Sequence, residues 1–365
     1  MKLALIAVTR SGARLAERLA GKLGDRADLF AKNGRGESEL ASGYDSLSGL
    51  VGSIYNLYDG LVFIMATGIV VRVLAPHIRD KRFDPAVVVM DEAGENAISL
   101  LSGHIGGANE LARLVAAAVG ARPVITTATD VAQKPAADIL AVRLGLEIEP
   151  FQEVKTINAA IVNGDRVGFF LDSSLANHES YACRALDEGV VVADIEQLNR
   201  VEGYDAAVVI TDKDLYMVKP HIFLRPGTLA VGIGCRRGTT GAEIYTAIAE
   251  ACRQIGRSPR SIAVIGTTVA KEDEIGLLAV AQQMAIPLEC FANEELQDVI
   301  DEYGLDKSEF VQAQIGVGNV CEAAALLAGQ ADKLLLGRTV FEKVTVAIAE
   351  VRSRSWESAP EAWST

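Results

Sequence analysis

The stretch LLSGHIGGANELARL, residues 100–114, runs from a strand-like apolar segment through a glycine-rich turn straight into a helical pattern. A junction of this kind is the repeating unit of α/β layers. Upstream, LALIAV (3–8), LVFIM (61–65) and AVVVM (86–90) read as strands, and PVIT (123–126) follows as another. RSGARLAERLAGKLG (10–24) and GGANELARLVAAAVG (106–120) read as helices, the second ending on Gly120 as its cap. MDEAGENAISLLSG (90–103) sets an acidic turn with Gly94 between two apolar runs, which is the pattern of a β-hairpin inserted ahead of the helix.

Downstream the same alternation continues. VKTINAAIVNG (154–164) reads as a helix, RVGFFL (166–171) as a strand, 177–188 as a helix and AAVVIT (206–211) as a strand. Pro220 and RPG (225–227) then punctuate the chain. TLAVGIG, a helix over 240–255, SIAVIG (261–266), helices near 274–285 and 318–328, DKLLLG (332–337) and VTVAIAEV (344–351) complete it. The expected architecture is multi-domain α/β. N-terminal and C-terminal αβα layers, with mostly parallel sheets, are joined by a smaller α/β middle domain. The expected bounds are 1–130, 131–227 and 228–350, with 351–365, which holds both tryptophans, as a flexible tail or a docking segment.

The chain has 365 residues, enough for two or three domains with cores of their own. Half of it is apolar and 23% charged, which excludes global disorder. The longest apolar stretch, 60–75, is interrupted by Thr67, Gly68 and Arg72 and is shorter than a membrane span. The N-terminal run MKLALIAV ends at Thr9 and Arg10 and reads as a strand, not an export signal. Five cysteines, at 183, 235, 252, 290 and 321, form neither a CxxC pair nor an even disulfide framework, so a reducing cytoplasm is expected. The net charge of −13 falls entirely after residue 130 and speaks against a nucleic-acid binder. A small molecule is the expected partner.

Three glycine-rich turns could hold chemistry. In the first, Ser102, Gly103, Gly106 and Gly107 lead into a helix whose N-terminal amides suit a carboxylate or an oxyanion. His104 lies beside that positive helix end, which favours the neutral imidazole and so a base near pH 7. Asn109 and Glu110 occupy the first helical turn; Asp91, Glu92 and Asp130 are further acid–base candidates. A purely structural turn fits the same residues. In the second, Thr67 and Gly68 open a helix carrying Arg72, and residues 72–82 hold four cations against Asp80, which favours an anionic ligand. In the third, Gly232, Gly234 and Gly238 are spaced GxGxxxG, off the dinucleotide fingerprint, with Arg236 and Arg237 in the turn. Lys271 and Glu274 read as a helix-face ion pair or a site pair. The four histidines lack metal-ligand spacing, so no metal site is expected.

GLVFIMATGIVVR, LLSGHIGGANELA, ITTATD, VGIGCRRGTT, AKEDEIGLL, CEAAALLA and VTVAIAEV, in this order, resemble the CbiG family, the cobalt-precorrin 5A hydrolases of anaerobic cobalamin biosynthesis. The resemblance spans about 1–350. It implies water-driven opening of the ring-A δ-lactone of a polycarboxylate tetrapyrrole, with release of acetaldehyde to give cobalt-precorrin 5B. It also implies no cofactor of the protein's own, since cobalt arrives inside the substrate. The base would be His104, Asp91 or Glu110. Thr67, Gly68, Arg72, Ser102, Gly103, Gly106, Gly107, Asn109, Thr127, Asp130, Gly234, Arg236, Arg237, Lys271 and Glu274 would meet the substrate. Two departures touch the C-terminal part: IGTTVAKEDE stands in place of an alanine-started turn, and Gly337–Arg338 follow the LLL strand. A corrinoid-intermediate carrier and an NAD(P)-dependent oxidoreductase are the alternative readings. Neighbouring cobalamin-pathway methyltransferases stay open as partners, and the sequence does not set the oligomeric state.

Overall fold

A computed structural model of the chain describes residues 1–34, 41–198, 203–309, 312–313 and 316–352. The expected tail lies outside the described residues. The chain divides into two compact units, with the break after Ile139.

The first unit is built on runs that are apolar at every position and therefore belong where both faces are covered. β1 (Leu3–Ala7), β4 (Gly60–Ile64) and β5 (Ala86–Met90) are buried throughout and stand side by side at the centre. β2 (Ala27–Lys32) and β3 (Ala41–Tyr44) extend the sheet on one side, and β6 (Asn96–Leu101) and β7 (Arg122–Val124) on the other, in the order β3-β2-β1-β4-β5-β6-β7. All neighbours are parallel except β5 and β6, which pair antiparallel with Val89 opposite Ile98. The expected hairpin is this pair.

α1 (Arg10–Leu23) and α4 (Ala108–Val119) cover the face presented by Leu3, Leu5 and Val62. α2 (Leu47–Ile54) and α3 (Thr67–Leu74) cover the face of Ala4, Ile6 and Phe63. The two-residue alternation of β1 thus feeds two cores from one strand. α1 starts where the Thr9 side chain accepts the Gly12 N–H at 3.1 Å. α5 (Ala128–Val131) and α6 (Ala137–Leu144) follow β7.

The second unit holds two sheets. β8 (Glu147–Glu149), β9 (Val167–Leu171), β10 (Ala193–Asp194), β11 (Ala206–Ile210) and β12 (His221–Arg225) form the middle sheet, with only β8 antiparallel, alongside α7 (Val154–Asn163) and α8 (His178–Asp187). β13 (Leu229–Cys235), β14 (Ile262–Thr268), β15 (Leu288–Phe291), β16 (Leu334–Phe341) and β17 (Val344–Glu350) form the other, in the order β15-β14-β13-β17-β16. α9 (Gly241–Gln254) and α10 (Ile275–Met284) pack on one face of it, and α11 (Asn293–Tyr303) and α12 (Val320–Gly329) on the other. A polar seam joins the two sheets: buried Arg225 donates to Glu149 at 2.8 Å, Glu149 accepts the Ser258 hydroxyl at 3.0 Å, and Asp212 pairs with Arg257. Charge-assisted hydrogen bonds thus cross the expected boundary at 227/228, and the break between the two compact units lies further upstream, after Ile139.

In the third turn packing explains Gly232, while Gly238 takes a left-handed φ of 76°. A Cβ on Gly232 would run into the Cys321 carbonyl oxygen and the Ala325 amide, so the backbone of α12 lies directly on β13. The alanines of CEAAALLA make that approach possible from the helix side. A Gly232→Ala protein should lose about 3 kcal/mol of stability, the upper end of overpacking costs, in denaturant titration. A loss below about 0.5 kcal/mol would show that α12 is not seated in this way.

Candidate active site

The site is assembled by two loops that leave the same end of the first sheet. β6 and β7 are parallel, so the turn after β6 and the turn after β7 open together. The first turn, Ser102–Gly107, folds on itself: the amides of Ala108 and Asn109 donate to the carbonyls of Ser102 and Gly103 at 3.0 Å each. Ser102 takes a left-handed φ of 58°, and Gly107 caps α4 at φ 85°. The second turn brings Thr127, Thr129 and Asp130, and the first turn of α6 adds Asp138.

His104 sits at the convergence. Its Nδ1 lies 3.2 Å from both oxygens of the buried Asp138 carboxylate. Its Nε2 lies 3.2 Å from Asp130 Oδ2 and 3.0 Å from Thr129 Oγ1. Asn109, 3% exposed, is the joint between the loops. It accepts the Ser99 hydroxyl at 2.7 Å and donates to Thr127 Oγ1 at 3.0 Å and to Asp130 Oδ2 at 2.9 Å. Arg113 reaches the other oxygen of Asp130 at 2.5 Å and Glu110 at 2.5 Å.

This setting reverses the expected direction of the His104 pKa. Burial opposes the imidazolium, but the hydrogen bonds and charges of Asp138 and Asp130 outweigh it, and the pKa rises above the ordinary histidine value. Two carboxylates at contact distance prevail over the helix end. Both ring nitrogens face carboxylates, Nδ1 the buried Asp138 and Nε2 the partly exposed Asp130. Among the described residues no three His, Cys, Asp or Glu side chains converge as metal ligands would.

Other expected residues lie elsewhere. Asp91 stands at the far end of the hairpin, not beside His104. It accepts the amides of Ala93, Glu95 and Asn96 at 3.0, 3.1 and 2.7 Å. Burial would raise its pKa, but these bonds outweigh it and leave the pKa below the ordinary carboxylate value, as a turn-holding group requires. Thr67, Gly68 and Arg72 open α3 at that same far end, where Arg72 donates to the Gly68 carbonyl at 3.1 Å. Glu110 is engaged by Arg113. Of the two amides expected to hold an oxyanion, that of Gly107 donates to the His104 carbonyl at 2.9 Å, while that of Gly106 has no such bond among the described residues.

In the second unit, Lys271 and Glu274 meet at 3.5 Å, 9% and 6% exposed, so they are a buried pair and not a helix-face one. Glu274 also accepts the Gly238 amide at 2.8 Å. Arg237 pairs with Asp273 at 3.1 Å in solvent, the Arg236 amide donates to the Lys343 carbonyl, and the Gly234 carbonyl accepts Thr345 Oγ1 at 3.1 Å. These residues gather at the carboxyl ends of β13 and β14.

Asp138, Thr129, Arg113 and Ser99 were not read from the sequence as site residues. Asp138 lies 34 positions from His104, beyond the expected domain boundary, in a helix start of ordinary composition.

The titration of His104 tests the geometry. Because its folded pKa is raised, its contribution to stability is full below the unfolded value of about 6.5 and is lost as pH rises through the folded value. Asp138→Asn should lower the His104 pKa in an NMR titration of the four histidines. An unchanged midpoint would rule Asp138 out as its main partner.

Comparison with known proteins matches the whole arrangement of the chain. Residues 49–130 match the Cobalamin synthesis G N-terminal family, 135–226 the Cobalamin biosynthesis central region and 229–349 the Cobalamin synthesis G C-terminus. A protein of Priestia megaterium named cobalt-precorrin-5A hydrolase is 35% identical over 361 residues, covering 95% of this chain and 94% of its own. One of the same name from Salmonella typhimurium is 37% identical over 350 residues, covering 95% and 97%. Among solved structures, a cobalamin biosynthesis protein G homologue from Sulfolobus solfataricus aligns over 96% of this chain and 97% of its own, at 20% identity and a TM-score of 0.36. The CobE crystal structure aligns over 35% of this chain and 94% of its own, at 28% identity and a TM-score of 0.33. With all three parts matched in order, and relatives above 30% identity along nearly its full length, the chain belongs to the CbiG family.

Proposed function

We propose that the protein is a cobalt-precorrin 5A hydrolase. It adds water to the ring-A δ-lactone of that tetrapyrrole, and releases the extruded carbon with its methyl group as acetaldehyde, leaving cobalt-precorrin 5B. The observation that supports the reading from the residues upward is His104, held between Asp138 and Asp130 in the glycine-rich turn that also carries Gly106.

Opening the lactone needs a proton acceptor for the attacking water, a donor for the developing oxyanion and a proton for the departing alkoxide. Asp130, partly exposed and held by Asn109 and Arg113, accepts the water proton. The Gly106 amide faces the oxyanion. Protonated His104 delivers its Nε2 proton to the alkoxide as the carbon–oxygen bond breaks. Now neutral, His104 takes the same proton back as the carbon–carbon bond to the macrocycle breaks. Acetaldehyde leaves, and the bonding electron pair passes into the macrocycle. A histidine with a raised pKa is suited to act first as acid and then as base. Cobalt is cargo of the substrate in this scheme and draws no ligand from the protein.

Purified protein incubated anaerobically with cobalt-precorrin 5A should release acetaldehyde in proportion to product. His104→Ala should lower kcat about 100-fold or more, the lower bound for losing a general acid–base group. Turnover within threefold of wild type would remove His104 from the mechanism. Since His104 must start protonated, kcat should fall as pH rises through its raised pKa. No acetaldehyde from the wild-type protein would overturn the hydrolase reading.

A further inference from the structure

Three features around the site have no role in the chemistry described above: the hydroxyl of Ser99, the missing side chain of Gly103 and the side chain of Thr127. All three converge on the amide of Asn109. Ser99, in β6, donates to Asn109 Oδ1 at 2.7 Å. A Cβ on Gly103 would stand 2.9 Å from that same oxygen and 3.3 Å from Thr127 Oγ1, so only a glycine lets the site turn close over the amide. The Gly103 carbonyl also accepts the Asn109 backbone N–H at 3.0 Å. Thr127 stands at the N-cap of α5, where a threonine hydroxyl ordinarily accepts an amide of the first turn. It makes no such bond and accepts from Asn109 Nδ2 at 3.0 Å instead.

The amide can stand only one way round. Asp130, as a carboxylate, accepts, so the end of Asn109 that meets its Oδ2 at 2.9 Å is the NH2 group. The two hydrogens of that group go to Asp130 and Thr127, which leaves Oδ1 to Ser99 and makes the Ser99 hydroxyl the donor. Turned over, the amide would press its oxygen against a carboxylate oxygen. A carboxylate by itself turns easily about its last torsion, since that torsion is broad. Here the two oxygens of Asp130 are told apart. Oδ2 takes Asn109 Nδ2 and lies 3.2 Å from His104 Nε2, while Oδ1 takes Arg113 on the side that solvent reaches.

We propose that Ser99 and Asn109 are positioning residues for the hydrolysis: Ser99 sets the amide of Asn109, and the amide fixes the rotation of the Asp130 carboxylate, so that Oδ2 stays against His104 Nε2 and Oδ1 stays on the open side to receive the proton of water. Neither residue meets the substrate. The inference rests on the hydrolase reading above. It also gives Ser99 an effect on the imidazole, two side chains away. The groups that face His104 are Asp138 from α6 and Thr129 and Asp130 from α5, with Arg113 and Glu110 of α4 behind Asp130. Burial lowers the His104 pKa, Asp138 raises it, and Asp130 adds to the rise by hydrogen bond and charge. When the amide is loosened, Asp130 turns from Nε2 and its share of the rise is reduced, while Asp138 stays in place.

The test joins two readouts on the full chain: NMR titration of His104, which needs no substrate, and anaerobic steady-state kinetics with cobalt-precorrin 5A. Ser99→Ala should lower kcat about tenfold with KM within twofold, as misplacement of a reacting group does. It should also lower the His104 midpoint and move the basic limb of the kcat profile down in pH with it. Ser99→Thr, which returns the hydroxyl, should restore the midpoint and bring kcat to within twofold of wild type. Asn109→Leu should go further in the direction of Ser99→Ala, and Ser99→Ala decides alone if that protein does not fold. A residue that only braced β6 against α4 would change Tm and neither readout. Ser99→Ala with kcat within twofold of wild type, or with a fall in kcat but an unmoved midpoint, would therefore overturn the proposal, as would Ser99→Thr as slow as Ser99→Ala. Wild type that releases no acetaldehyde would sink the hydrolase reading. The midpoint then decides: its fall in Ser99→Ala would keep the linkage from Ser99 to the Asp130–His104 pair, and its constancy would overturn that too.

Discussion

The chemistry of the first unit depends on one reversal of strand direction. In a sheet ordered β3-β2-β1-β4-β5, ligands usually enter at the carboxyl ends, at the switch point between β1 and β4. Because β6 runs antiparallel to β5, the glycine-rich turn that follows it emerges at the opposite end. β7, parallel to β6, sends Thr127 and Asp130 after it. The hairpin that performs the reversal is held by Asp91, whose carboxylate gathers three amides in a tight turn. Asp91 therefore serves the site from the far end of the strand, by fixing which way β6 points.

Once the loops share an end, charge decides their packing. Asp138 is 2% exposed, and an ionised carboxylate at that depth needs a partner. His104 supplies it through Nδ1, and the second carboxylate, Asp130, meets the other ring nitrogen, so both favour the imidazolium. Asn109 is neutral, with an amide that accepts at one end and donates at the other. It can therefore join the Ser99, Thr127 and Asp130 side chains without adding charge to a crowded group. Arg113, further out, balances Asp130 and Glu110 in a part of the site that solvent reaches.

The central strands and the helices beside them were legible because LALIA, GLVFI and AVVVM are apolar at every position, which only a doubly covered strand tolerates. β2, β3 and α2 were not, since ADLFAK and ASGY have mixed burial and α2 is only eight residues long. In the site, His104, Asn109 and Asp130 stood out through their glycine-rich and threonine-rich turns. Asp138 did not, because a carboxylate in the first turn of a helix is ordinary and only the fold brings it to His104. The direction of the His104 pKa shift was missed for the same reason: a local dipole is visible in sequence, and a distant carboxylate is not.

The two glycine-rich junctions at 102–107 and 232–238 show what such spacing does and does not carry. Both join a strand to a helix, and in both a side chain would collide. At Gly106 the colliding group is Ser102, a buried polar residue with a left-handed backbone, so the close approach folds the site turn tightly on itself beside His104. At Gly232 it is the backbone of α12, buried among alanines, so the close approach joins a helix to a sheet with no room left between them. Glycine spacing reports that two chains come close. Whether the contact is a site depends on what stands around it: a turn that carries His104 to its carboxylates in the first case, a helix backbone already fully packed in the second.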